Sequence, residues 1–218
     1  MTPEARAPSP GEAEIGPNAV LQTVPAIEQR LGQQACAAIL AEAGLDALPT
    51  GESMIREADA LALMRALHRH HPSEAPAIAR EAGWATADYI IANRIPRPVA
   101  ALLRLLPAPL AARALMEAIS RHAWTFVGAG RFEPEGPWSF TIDRRAAGDD
   151  AAPPACLFDW YAAVFTRLFG ELVAARAQCR ALSRPGGAAP LRHYRIERRG
   201  SPARAGRAAA SGEASAPA

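Results

Sequence analysis

The sequence contains no lysine, and each of its 24 basic residues is an arginine. Because alanine is also abundant, we interpret this bias as the coding preference of a GC-rich genome rather than as a functional signal. The net charge of +2 is too small to indicate a nucleic-acid-binding protein. The basic segment 192–207 is predicted to be a solvated tail rather than a surface for an acidic partner or for membrane phosphates.

Long apolar runs are absent too. No run approaches the ~20 residues that a membrane-spanning helix needs, and the first residues lack the apolar stretch of a secretory signal. Cysteine is scarce, and the odd number of three (Cys36, Cys156 and Cys179) favours reduced thiols over a disulfide framework. We therefore expect a cytoplasmic protein without a transmembrane segment.

Recognisable cofactor motifs are also missing. Gly128, Ala129 and Gly130 resemble the start of a dinucleotide-binding loop. However, Glu133 occupies the position of the third glycine, and the residues that follow have the pattern of a strand rather than a helix. No phosphate-binding loop and no nucleophile–histidine pattern stands out. The sequence thus predicts no nicotinamide or flavin site, although a reductase needs a hydride donor.

Half of the residues are hydrophobic, which is enough for a core, and their pattern predicts an α+β fold. We predict disordered tails at 1–14 and 200–218 because these segments lack large apolar side chains. Between them we expect a helical part at 15–122 and an α+β part at 123–199, which has the order ββαββ and an antiparallel sheet.

The predicted helices follow from apolar spacing and from proline and glycine at their ends. They cover 17–31 with an interruption at Pro25, 33–43, a helix marked by apolar positions from 55 to 67 and closed by Pro72, a short segment from 99, and 110–122. A further helix, marked by apolar positions from 78 to 89, starts near Pro76 and ends at Pro96 and Pro98. Strands are predicted at 124–132 and 138–144, with a turn at 133–137 and a loop at 146–154. A long helix from 157, interrupted by Gly170, precedes strands at 173–182 and 191–196.

Residues 118–179 contain most of the aromatic side chains, which build either the core or a pocket for a large flat ligand. His122 lies just before two of them, Trp124 and Phe126, and is either a structural histidine or a ligand of chelated magnesium. His68 and His71 could share a helix face, as metal ligands do, but no carboxylate or cysteine has a matching spacing, which favours a structural role.

Four segments, in their order along the chain, resemble the bacteriochlorophyll 4-vinyl reductase family, and the second half resembles the wider 4-vinyl reductase domain. They are IGPNAV (15–20), ADYIIANRIPRP (87–98), HAWTFVGAGRFE (122–133), and the block from Cys156 through a helix to Cys179 that ends in HYRI (193–196). The two cysteines match the first two of three in that domain, and Arg192 stands at the third position. They are therefore only weak metal candidates.

The resemblance implies a role in bacteriochlorophyll synthesis. We expect a protein that binds a magnesium tetrapyrrole, divinyl protochlorophyllide or chlorophyllide, and presents it to other pathway enzymes, either in the cytoplasm or peripheral to the photosynthetic membrane. The alternatives are a genuine 4-vinyl reductase, which takes electrons from NAD(P)H or a reduced partner, and a protein-interaction module. The expected tetrapyrrole-binding residues, enclosed by the sheet and its long helix, are His122, Trp124, Phe126, Arg131, Phe158, Trp160 and Tyr161. No catalytic residue is predicted.

Overall fold

The computed structural model describes residues 13–144, 152–182 and 190–198. The predicted tail at 200–218, residues 1–12 of the other tail and most of the predicted loop at 146–154 lie outside these ranges. Ala13 and Glu14, which the sequence placed in the first tail, lie inside them: Ala13 is buried and Glu14 begins a strand.

Helices dominate the first part of the described chain. They are α1 (Asn18–Leu21), α2 (Thr23–Leu31), α3 (Gln33–Glu42), α4 (Glu57–His70), α5 (Ala75–Asn93), α6 (Arg97–Leu105), α7 (Ala108–Arg121) and α8 (Trp124–Val127). Two short strands, β1 (Glu14–Ile15) and β2 (Ile55–Arg56), pair antiparallel and join the start of the described chain to the segment before α4. This two-stranded sheet was not predicted.

The second part contains β3 (Arg131–Gly136), β4 (Ser139–Asp143), α9 (Ala155–Leu172), β5 (Ala177–Leu182) and β6 (Leu191–Arg198). The four strands form an antiparallel sheet in the order β3-β4-β6-β5. Helices and antiparallel sheets together confirm the predicted α+β class.

Prolines and glycines set several helix ends as the sequence indicates. Gly32 ends α2 with a φ of 86°, a backbone conformation that glycine adopts without steric cost. Pro25 does not cause the predicted interruption. The break lies at Gln22, and Pro25 is in the first turn of α2, where a backbone N–H has no helical partner to lose.

Two predictions in the hairpin are wrong. The first half of the predicted strand at 124–132 is the short helix α8, which ends at Gly128, where φ is 54°. Most of the predicted turn at 133–137 belongs to β3, and Pro134 is paired with Phe140. A proline fits there because β3 is an edge strand, on which a missing N–H leaves no ladder bond unmade.

Aromatic side chains fill the space between α9 and the large sheet. Phe140 of β4 stacks on Phe165 of α9 at 4.0 Å between ring centroids and on Tyr194 of β6 at 4.8 Å. These three rings and Phe169 are almost completely buried. Most of the aromatic window therefore builds core, and the expected ligand space between the sheet and its helix is occupied by these side chains.

The opposite side of α9 packs closely on α5 at Gly83. A Cβ at this position would lie 2.6 Å from the carbonyl oxygen of Trp160 and 2.8 Å from the Cβ of Ala163. Glycine is therefore required where the two helices approach each other. Gly170, near the end of α9, has no such neighbour within 4 Å of an added Cβ.

We predict opposite effects for alanine at these two glycines. Gly83→Ala forces the two helices apart and should lower the free energy of unfolding by ~1–3 kcal/mol or more. Gly170→Ala should raise it by ~0.4–1 kcal/mol, since alanine is the better helix former. Urea unfolding followed by circular dichroism measures both. Equal stability of the two variants would contradict the close helix contact.

Candidate functional site

An ion pair is buried where α4, the turn after α8 and the end of β4 meet. The Oε1 atom of Glu57 lies 2.5 Å from the Nη1 atom of Arg144, and both side chains are more than nine-tenths buried. Nη1 of Arg144 also donates a hydrogen bond to the carbonyl oxygen of Val127. Burying a charge costs free energy unless an opposite charge pairs with it. Each of these two side chains can therefore stay buried and charged only while the other is present.

The turn at residues 128–130 closes over the carboxylate. Its Ala129 N–H donates to Oε2 of Glu57 at 3.0 Å. A Cβ on Gly128 would lie 2.3 Å from the carboxyl carbon of Glu57, so only glycine fits there. The glycine-rich sequence that resembled a dinucleotide loop thus contacts a carboxylate of the protein itself.

A small cavity lies beside the ion pair, between the helical layer and α9. Its volume is about 20 Å³, which is room for about one water molecule. Its surface is almost entirely apolar, although Glu57 and Arg144 are among the residues that line it. The lining residues are Ile15, Ala19, Glu57, Ala60, Leu61, Met64, Phe126, Arg144, Leu157, Trp160 and Tyr161.

Regular helical spacing produces two of the cavity walls. Positions 57, 60, 61 and 64 share one face of α4, and positions 157, 160 and 161 share one face of α9. The segment that carries Ile15 and Ala19 covers the cavity and is held by backbone bonds to β2, to Glu57 and to the residues after α7. Among these, the Gly16 N–H donates to the Thr125 carbonyl oxygen at 2.8 Å.

Two aromatic residues of α9, Trp160 and Tyr161, line this cavity and carry polar groups. Trp160 is 4% exposed, and its indole N–H has no hydrogen-bond acceptor among the described residues. The Tyr161 hydroxyl donates to the Phe126 carbonyl oxygen at 3.1 Å. Burial raises the pKa of Tyr161, while the nearby positive charge of Arg144 acts in the opposite direction. The phenol is therefore neutral at physiological pH and serves as a hydrogen-bond donor.

The structure brings together three of the seven expected binding residues, Phe126, Trp160 and Tyr161. Phe158 is buried elsewhere on α9, with the guanidinium of Arg192 4.8 Å from its ring centroid. The remaining three expected residues do not line this cavity.

Those three lie at the protein surface. His122 is exposed, and its Nδ1 atom is 2.9 Å from the Ala118 carbonyl oxygen. Trp124 is 56% exposed. Arg131 is exposed and lies 3.4 Å from the carboxylate of Glu133.

The two cysteines named as weak metal candidates are far apart. Cys156 begins α9, whereas the backbone N–H of Cys179 donates to Oγ1 of Thr166, ten residues and roughly 15 Å further along that helix. Burial raises the pKa of Cys156 to about 12 and also raises that of Cys179. Both are therefore neutral thiols, whereas metals bind thiolates.

No three His, Cys, Asp or Glu side chains within 13–144, 152–182 and 190–198 are grouped so that they could hold a metal ion. His68 and His71, at the end of α4, belong to no such group. His70, which lies between them, pairs with Glu42.

Sequence reasoning missed Glu57 and Arg144. They are distant along the chain, and neither belongs to a recognisable motif. The one local signal was the pair of glycines at 128 and 130, since close-packed glycines often indicate that the backbone passes near another group. The sequence does not show that this group is a carboxylate from α4.

Two curated proteins are similar in sequence to this chain. The bacteriochlorophyll synthase 23 kDa chain of Cereibacter sphaeroides is 47% identical over 163 residues, which cover 73% of this chain and 78% of that protein. The protein of the same name from Rhodobacter capsulatus is 43% identical over 176 residues, which cover 79% of this chain and 82% of that protein. No protein-family model matches the chain.

Solved structures of H-NOX proteins share the fold. The Fe(II) unliganded H-NOX protein of K. algicida matches with a TM-score of 0.57 at 10% identity, covering 86% of this chain and 98% of that one. An H-NOX protein from a study of heme distortion matches with a TM-score of 0.53 at 11% identity, covering 85% and 96%. At such low identity these matches describe the fold alone. No helix in the described part of the chain has the length and apolar character needed to cross a membrane.

We predict that the buried ion pair is essential for stability. Glu57→Gln keeps the side-chain shape but leaves the Arg144 charge uncompensated, which should cost ~3–5 kcal/mol and lower the Tm by roughly 6–20 °C. The matched control is Glu117→Gln, because the pair of Glu117 with Arg121 is exposed and should contribute less than ~1 kcal/mol. Thermal unfolding by calorimetry tests both, and an unchanged Tm for Glu57→Gln would disprove the prediction.

Proposed function

The chain belongs to the family of the bacteriochlorophyll synthase 23 kDa chain, and from this premise we propose that it acts in bacteriochlorophyll biosynthesis by binding a magnesium tetrapyrrole intermediate. In this proposal the protein presents divinyl protochlorophyllide or chlorophyllide to other enzymes of the pathway. The names of the two relatives support the pathway. The choice of ligand rests on the cavity and on the fold.

The observation that carries the proposal is the unpaired indole N–H of Trp160, a residue that lines a buried cavity together with Glu57 and Arg144. A buried donor without an acceptor costs about 1–3 kcal/mol, and a bound ligand that supplies an acceptor would recover this energy. Aromatic and aliphatic walls suit the faces of a macrocycle, and arginine suits a carboxylate at its edge. The H-NOX fold supports the proposal, because a heme is named for one of the proteins that share it.

The cavity must enlarge to admit a macrocycle, since about 20 Å³ holds only about one water molecule. In this proposal the segment at 13–21 is the cover that moves. Its strand β1 is only two residues long, and opening it exposes the buried side chains of Ile15 and Val20. We therefore place the entrance at this segment, on the side of α9 that faces away from the large sheet.

Within the enlarged site, the chain's own residues would have distinct tasks. The Arg144 guanidinium would bind the carboxylate edge of the ring. Trp160, Tyr161 and Phe126 would contact the ring faces. The Glu57 carboxylate would offer oxygen atoms, which are the ligands that Mg²⁺ prefers.

A 4-vinyl reductase activity and a pure interaction role remain the competing functions. The family resemblance of the sequence suggests the first, whereas the chain shows no recognisable motif for a hydride donor. A carrier binds the pigment unchanged, a reductase converts it, and an interaction module does not bind it. One experiment can therefore distinguish the three functions.

We expect purified protein mixed with magnesium divinyl protochlorophyllide to shift the Soret band without reducing the vinyl group, with or without NADPH. Absorption spectra and chromatography of the extracted pigment measure the two outcomes. Conversion to the monovinyl pigment by this protein alone would establish a reductase and overturn the carrier role. A spectrum identical to that of free pigment would favour the interaction role.

Substitutions distinguish the buried site from the surface group at His122. Trp160→Phe removes the indole N–H and should weaken pigment binding roughly fivefold to tenfold, the equivalent of one hydrogen bond of about 1 kcal/mol or slightly more. His122→Ala should change the dissociation constant less than twofold. Titration of the Soret shift measures both, with circular dichroism as a folding control. If His122→Ala weakens binding and Trp160→Phe does not, the pigment binds at the surface near Trp124 and Arg131 instead.

A further inference from the structure

The helix α6 presents an apolar face to solvent. Ala100 and Leu103 of this helix are buried, while Val99, Leu102 and Leu105 on its outer side are 46%, 57% and 83% exposed. Their spacing of three residues places them along one face. Scattered exposed leucines are ordinary, but a contiguous apolar patch on a folded protein usually marks an interaction site.

The patch continues beyond α6 into the next helix. Leu110, in the first turn of α7, is 56% exposed. It follows α6 after a turn that contains Pro107, and Pro109 lies in the first turn of α7 itself. We call the exposed side chains of Val99, Leu102, Leu105 and Leu110 the α6–α7 patch.

The charge around the α6–α7 patch has one sign. Residues 94–116 include four arginines and no aspartate or glutamate, and all four arginines are exposed. No carboxylate among the described residues pairs with Arg94, Arg97 or Arg113. The fourth, Arg104, donates from Nε to the backbone oxygen of Glu171 at 3.1 Å.

The nearest acidic residues along the chain do not neutralise this charge. Asp88 accepts a hydrogen bond from Arg167 at 2.7 Å, and Glu117 pairs with Arg121. The α6–α7 patch therefore lies in a stretch of chain whose charged side chains are all positive. These are the properties of helices that lie in the interface of a bilayer containing anionic lipids.

We infer that the α6–α7 patch binds the surface of an anionic lipid bilayer, with the leucines entering the boundary between headgroups and acyl chains and the arginines contacting lipid phosphates. A protein partner would need a matching apolar surface with acidic groups around it, and nothing in the structure indicates one. This inference goes beyond the proposed pigment binding and does not depend on it.

The test is flotation of the full chain with vesicles. We expect binding to vesicles of phosphatidylcholine and phosphatidylglycerol in equal parts, and weaker binding to phosphatidylcholine alone. About 1 M NaCl should weaken the binding, because it shortens the screening length to ~3 Å. Absence of the protein from the floated anionic vesicles at low salt would overturn the inference.

Matched variants locate the binding surface. Leu105→Asp should lower partitioning onto the anionic vesicles more than tenfold. The substitution removes a leucine that enters the bilayer and adds a negative charge that anionic lipids repel. Leu48→Asp introduces the same charge at another exposed leucine (46%) and should change partitioning less than threefold. Equal effects of the two variants would assign binding to general charge or to the basic tail, and would overturn the inference.

The same variants distinguish lipid binding from self-association and from pigment binding. A concentration-dependent dimer that Leu105→Asp abolishes, without any vesicle binding by the unsubstituted chain, would make the patch a self-association surface and overturn the inference. The Soret shift with pigment, measured without vesicles, should be the same in Leu105→Asp as in the unsubstituted chain. Failure of pigment binding is thus distinguishable from failure of lipid binding.

Discussion

The carboxylate of Glu57 and the guanidinium of Arg144 form a buried ion pair that joins three parts of the fold. Glu57 begins α4, Arg144 follows β4, and the turn at 128–130 lies against both. Removing two charges from water costs several kcal/mol per ion, so a buried pair adds little net stability. Once both are buried, however, replacing either residue by a neutral one leaves the other as an unpaired buried charge. The pair therefore fixes the position of the helical layer relative to the sheet.

This constraint also determines where a ligand can bind. The side of α9 that faces the large sheet is filled by the stacked rings of Phe140, Phe165 and Tyr194. The side that faces α4 has smaller alanine and leucine contacts, the charged pair and the indole of Trp160. On this second side the described residues leave a small cavity beneath the segment that carries Ile15 and Ala19. A protein interior is close-packed, so a large ligand has to enter where few side chains need to move.

The sequence predicted the parts of the fold that depend on local signals. The bounds of α3, α5 and α7 follow prolines and glycines, whose conformational effects act within a few residues. The strand predicted at 124–132 failed because Trp124, Thr125 and Phe126 have strand propensity, while the tertiary contacts of Phe126 with Phe132 and Phe165 favour a helical turn. Strand propensity is easily overridden in this way.

The candidate site was only partly predictable for the same reason. Trp160 and Tyr161 were found because aromatic side chains in an amphipathic helix stand out in any sequence. Glu57 and Arg144 carry no comparable signal, since their roles arise from a contact between segments that are distant along the chain. His122 and Trp124 stood out as strongly as Trp160, yet they lie at the surface. The sequence shows which residues carry aromatic or ionisable side chains. Only the folded structure shows which of these side chains line the cavity.

The cavity beside α9 and the α6–α7 patch fit a single arrangement of protein, pigment and bilayer. The cavity lies on the helical side of α9, and α6 packs on the same helix. An apolar pigment with a carboxylate edge is poorly soluble in water and partitions into bilayers. A protein that lies on an anionic bilayer through the α6–α7 patch would receive such a ligand from the lipid phase and shield it from water between Phe126, Trp160 and Tyr161. In this arrangement the polar edge of the pigment would meet Arg144, and the carboxylate oxygens of Glu57 beside it would be the protein's own candidates to hold the magnesium.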